Sequence, residues 1–127
     1  MKRLWWIAAI AGWLSSVSCD GPEVGELTVD LVTPNSDDGA AVLSVSSASS
    51  KELLGIAAAC DGCRIFFEQV SQSEIRAIVT GPLAPGPLVR VTVSDVGSRS
   101  AYSAQLEQVA SRSFQLRPLS GYALSVR

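Results

Sequence analysis

From Glu26 onward, apolar side chains recur at every second position, and each run is cut short by turn residues. This feature constrains the chain more than any other. A period of two gives a strand one buried face, whereas a helix needs apolar residues three and four apart. Leu27, Val29 and Leu31 alternate with Thr28 and Asp30, and 34–39 (Pro-Asn-Ser-Asp-Asp-Gly) is a turn. Ala41, Leu43 and Val45 then alternate with Ser44 and Ser46, so the two runs read as a hairpin. The apolar stretch 53–60 fits a buried strand or a short helix capped by Ser50, and Gly55 favours the strand. Ile65 and Phe67 share one face of the next strand, with Arg64 and Glu68 on the other. Ile75, Ala77 and Val79 follow, then Val89, Val91 and Val93. Between them, the prolines of 81–87 remove ladder donors and predict a fixed loop. Tyr102, Ala104 and Leu106 alternate, although Leu106, Val109 and Ala110 also fit one helical turn. Tyr122, Leu124 and Val126 close the series. Seven or eight short strands over 26–127 predict an all-β protein, a Greek-key β-sandwich.

The first residues follow a different pattern. Met1-Lys2-Arg3 is positive, 4–17 is an apolar run of fourteen residues, and small residues precede Cys19. As a helix that run reaches about 21 Å at ~1.5 Å per residue, short of a hydrocarbon core of about 30 Å. Residues 1–18 therefore read as a signal peptide, with a helical apolar region, and not as a permanent membrane helix. Ser16-Val17-Ser18-Cys19 resembles the lipobox of bacterial lipoproteins. That resemblance implies a lipid on Cys19 that anchors the chain to a membrane of the cell envelope, in the periplasm or at the surface. Ser16 stands where the lipobox usually has an aliphatic residue, and ordinary cleavage after Ser18 is the alternative. Residues 19–25, polar and turn-rich, suit a tether. All three tryptophans (Trp5, Trp6 and Trp13) fall in the signal.

Charge and composition exclude several function classes. Without Lys2 and Arg3, eight basic residues face twelve acidic ones, a balance of −4. The bases are scattered singly, whereas displacing the counterions of a nucleic acid takes a cluster. Nucleic acid is therefore not an expected partner. The chain has no histidine. That removes Ser-His-Asp and Cys-His catalysis and the commonest nitrogen ligand of zinc, copper and iron.

The strands Leu27-Thr28-Val29-Asp30-Leu31 and Val89-Arg90-Val91-Thr92-Val93 resemble those of cohesin-like and other immunoglobulin-like sandwiches of secreted bacterial proteins. The resemblance implies protein–protein or glycan contact at a cell surface.

Cys60-Asp61-Gly62-Cys63 is the sharpest local motif. A structural disulfide across an Asp-Gly turn suits an extracytoplasmic compartment. A redox pair is the alternative, but it calls for a stabilised thiolate at a helix N-terminus, and Arg64 alone lowers a thiol pKa only modestly. Zinc lacks further ligands. Asn35, Asp37 and Asp38 offer oxygens for Ca²⁺ without EF-hand spacing, and such residues before glycine also suit a plain turn. Glu52, Glu68, Glu74, Asp95 and Glu107 are the carboxylates from which a glycosidase pair would be drawn, and all fall on expected solvent faces or turns. Phe67, Tyr102 and Tyr122 fall on apolar faces and are expected in the core, whereas Phe66 points outward and is the candidate contact residue. The reading is a non-enzymatic binding or structural module without cofactor or metal. A carbohydrate-binding module and a periplasmic thiol protein are the alternatives.

Overall fold

The computed structural model describes residues 21–127; the expected signal helix at 1–18 and Cys19 lie outside the described residues. Among the described residues the alternation resolves into nine strands. In chain order they are β1 (Gly25–Val32), β2 (Asp38–Ser47), β3 (Leu53–Ala58), β4 (Arg64–Ser71), β5 (Glu74–Leu83), β6 (Gly86–Val93), β7 (Tyr102–Ser111), β8 (Leu116–Arg117) and β9 (Ala123–Val126). They form two antiparallel sheets, ordered β3-β6-β1-β9 and β4-β5-β2-β7-β8. The strand beyond the seven or eight expected is β8, whose two residues are too short to show a period. Stretch 53–58 is the strand that Gly55 favours over a helix.

The inward positions of both sheets meet in one core. Leu31, Leu43, Ile75, Leu83, Leu88 and Val91 are among its buried members. Burying each such side chain stabilises the fold by roughly 1.5–3 kcal/mol. Tyr102 is buried as expected, and its hydroxyl accepts from the Asp95 N–H at 3.1 Å. Tyr122 is half-buried and packs against the core.

Two local expectations change in the fold, and a third reading, open between a strand and a helical turn, resolves as the strand. The runs of β1 and β2 do not form a hairpin: β1 pairs with β6 and β9, and β2 pairs with β5 and β7. The turn between them is a corner that carries the chain from one sheet to the other. The prolines of 81–87 do not make a separate loop, because β5 runs through Pro82 and β6 includes Pro87. Pro87 is tolerated beside a bulge, where the register shifts between Val29 and Asp30 and Leu88 is the extra residue. The third concerns Leu106 and Val109, whose spacing of three also fitted a helical turn. Val42 pairs with Gln108 and Leu43 with Leu106, so Glu107 is a bulge residue. The bulge moves the inward phase of β7 from even to odd positions, and Val109 becomes buried.

Candidate functional site

Two polar clusters and one apolar edge stand out from the core. The first cluster closes the corner between β1 and β2. Asp38 is fully buried. Its Oδ2 accepts from the Thr33 hydroxyl at 2.6 Å and its Oδ1 from the Tyr122 hydroxyl at 2.7 Å. Asn35 Nδ2 donates to the same Tyr122 oxygen at 2.7 Å. Arg117 donates to Asp37 through Nη2 at 2.6 Å, and its Nε lies 3.6 Å from Asp38 Oδ1. Of the residues offered for Ca²⁺ in sequence, Asp38 thus already holds two hydroxyl groups and Asp37 a guanidinium group. Among the described residues, no group of three or more Cys, Asp or Glu side chains is placed to hold a metal ion. Arg117 and Tyr122 come from near the end of the chain, so this corner ties β8 and the entry to β9 onto the start of β2.

The second cluster surrounds Asp95, after β6. Lys51 Nζ and the Ser98 hydroxyl each donate to Asp95 Oδ2 at 2.8 Å, and the Gly97 N–H donates to Oδ1 at 3.2 Å. The bond from Lys51, then that from Ser98, holds the carboxyl at about 2. The bond to Asp95 raises the Lys51 ammonium above its ordinary value. Their ion pair ties the β2–β3 connection, which carries Lys51, to the β6–β7 connection, which carries Asp95.

The apolar edge is β4, which among the described residues pairs only with β5 and ends the five-stranded sheet. Phe66 lies opposite Ile78, which lies opposite Val42, so these three form a row across the outer face of β4, β5 and β2. Phe66 is 60 % exposed and Ile78 43 %. Phe67 lies opposite Ala77 on the inner face but is 52 % exposed, against the expectation that it joins the core. The reason is its place on the edge strand: Ala77 on β5 is buried while Phe67, one strand further out, is open to solvent. Phe66, Phe67, Glu68, Arg76 and Ile78 border a shallow open depression of about 340 Å³. Glu107, the bulge residue of β7, stands on its far side.

Cys60 and Cys63 are joined in a disulfide, with Cα atoms 5.5 Å apart. It follows the last residues of β3 and precedes Arg64, the first of β4, so it braces a turn between the two sheets. Gly62 takes φ +74, which side-chain-bearing residues rarely adopt. The turn presses on Gly81, where an added Cβ would come within 2.8 Å of the Gly62 carbonyl oxygen. Strands, not a helix N-terminus, flank both cysteines.

Phe114 went unassigned from the sequence. It is 93 % exposed at φ 66, in the turn between β7 and β8. It borders a second open depression of about 460 Å³ with Ala40, Thr80, Pro82 and Arg112. Positive φ at a non-glycine residue has no reliable sequence signal. Among the described residues, no helix is long and apolar enough to cross a membrane.

The fold and its edge define an all-β, two-sheet protein with an exposed apolar strand. Among known proteins, the chain is similar to the molybdenum import ATP-binding protein ModC 2 of Bradyrhizobium diazoefficiens. The two are 36 % identical over 84 residues, which is 62 % of this chain. The match spans only 9 % of the ModC protein's length. No family model matches the chain, and no solved structure does.

Proposed function

We propose that this chain is a non-catalytic binding module of the bacterial cell envelope. In this reading, residues 1–18 export it, a lipid on Cys19 anchors it, and the β4 edge makes its contact. One observation carries the reading: Phe66, Phe67, Val70 and Ile78 are exposed together on and beside an edge strand that is paired on one side, by β5. Natural sheets blunt such edges with charge, proline or cover unless something pairs with them. We read the strand order as Greek-key wiring, in keeping with a surface sandwich.

The glycan-binding alternative gains one observation, the exposed Phe114 beside its depression, since sugars stack on exposed aromatic faces. ATP binding, which the ModC protein's name states, finds no support in the residues of this chain. Gly81 and Gly86 have the glycine spacing of a P-loop, but Pro87 and Leu88 stand where it needs Lys and Ser or Thr.

A photo-crosslinking phenylalanine analogue in place of Phe66 tests the reading, in the full chain expressed in a bacterial envelope. The expected result is a protein adduct from position 66 and none from position 114. Adducts absent from position 66 would defeat the β4 reading. Intact mass tests the anchor: a chain beginning at Cys19 with added acyl mass is expected, and an unmodified cysteine there would refute lipidation.

A further inference from the structure

The β4 edge carries its own complement. We propose that two copies of this chain pair antiparallel along β4, about a two-fold axis at Phe66, to give one continuous ten-stranded sheet. The inference rests on the binding-module reading above and names the partner for the same edge.

The register follows from symmetry and charge. A two-fold axis normal to the sheet keeps each residue on its own face, while directly opposed residues share a face. The axis must therefore pass through a residue, and a slip of one would set a core face against a solvent face. With the axis at Phe66, Arg64 of each copy lies opposite Glu68 of the other, and Phe66 lies opposite its counterpart. All of these are on the outer face. On the inner face, Ile65 lies opposite Phe67 of the second copy. An axis at Ile65 would instead place Arg64 opposite Phe66, and one at Phe67 would place Glu68 opposite Phe66. Only the Phe66 register joins both Arg64–Glu68 charge pairs, sets Phe66 against its counterpart and sets each Phe67 against Ile65.

Three features leave this stretch free for pairing. Among the described residues, neither Arg64 nor Glu68 is in an ion pair; Arg76, opposite Glu68 on β5, bonds to Glu74 instead. The side-chain hydrogen bond that ties β4 to β3 lies beyond this stretch, at Gln69, whose Nε2 donates to the Leu53 carbonyl at 3.0 Å. At the other end the disulfide turn stops at Cys63. The open length of the edge is thus 64–68, the stretch that the self-complementary register uses. Pairing there covers both phenylalanines and satisfies the outward backbone groups of the strand.

Charge reversal tests the register, read by sedimentation of the full chain purified in detergent at several concentrations. Wild type is expected to approach a dimer as concentration rises. Arg64→Glu alone and Glu68→Arg alone each set two like-charged pairs face to face. Each is expected to weaken association by on the order of tenfold or more. The double variant Arg64→Glu/Glu68→Arg restores opposite charges and is expected to regain the dimer. An intact Cys60–Cys63 disulfide and an unchanged β-type circular dichroism spectrum check that each variant folds. A wild type that stays monomeric, or a double variant no better than the singles, overturns the proposal. If crosslinks from position 66 then join a different protein, self-pairing fails while the binding-module reading stands. If position 66 gives no adduct, both fail.

Discussion

The two edges of the five-stranded sheet are built on opposite principles. At one end β8 is two residues long, and Arg117 within it is bound to Asp37 and set against the buried Asp38. At the other end β4 is eight residues long, and Phe66, Phe67 and Val70 stand exposed on it with no strand outside them among the described residues. A two-residue edge offers little to pair with, while a long edge with exposed apolar side chains invites pairing. The asymmetry separates two tasks within one sheet. The β8 end contributes to stability by locking a corner, and the β4 end contributes a surface. Substitutions at the two ends should therefore move different observables.

The largest effect on stability is expected at the locked end. Asp38→Ala would leave the Thr33 and Tyr122 hydroxyls without their shared acceptor and remove the buried charge beside Arg117, at a cost of about 2–4 kcal/mol. A urea unfolding midpoint checks this, and a change below about 0.5 kcal/mol, the range of ordinary surface substitutions, would show that the corner is no lock. Next comes the brace at the base of β4. Replacing both Cys60 and Cys63 by Ser is expected to cost about 2 kcal/mol or less, because so short a loop removes little entropy from the unfolded chain. A larger loss would mean that the brace holds the two sheets together. Phe66→Ser should change stability by no more than about 0.5 kcal/mol, as befits an exposed residue. It should nonetheless abolish concentration-dependent association in sedimentation. That combination, silent in unfolding and decisive in association, is what distinguishes the open edge from the locked one.

The smallest effect concerns pH. Asp95 is held at about 2, below its ordinary value. Its bonds to Lys51 and Ser98 therefore stabilise the fold above the usual carboxylate range, and that contribution is lost as pH falls from about 4 through about 2. Urea midpoints of Asp95→Asn and wild type should converge at the acid end of this window and differ most above pH 4. A gap that does not change with pH would count against the ion pair as its cause.

Much of the sandwich was legible because its signal is local. The alternation of Leu27, Val29 and Leu31, or of Val89, Val91 and Val93, reports directly which face is buried. Sheet membership was not legible, since the corner after β1 and a hairpin turn use the same Pro, Asn, Asp and Gly residues. The bulge at Glu107 looked like a helical turn because one extra residue converts a spacing of two into a spacing of three. Phe67 shows the limit most clearly. Its place on the inward face was correct, but exposure depends on whether the opposite sheet reaches that far, and no residue near Phe67 encodes the width of the other sheet. Phe66 was legible as an outward residue. The self-complementary register around it becomes meaningful only once β4 is known to be an edge. Arg117 carried no signal at all, because Asp37, which it binds, lies 80 residues away in sequence.

Amide hydrogen exchange of the full chain, measured at low and high protein concentration, tests the contrast between the two edges most directly. The expected result is that 64–68 gains protection as concentration rises, while β7 and β8 stay equally protected throughout. Protection of 64–68 that is independent of concentration, or a gain at β8 instead, would contradict the assignment of β4 as the pairing edge.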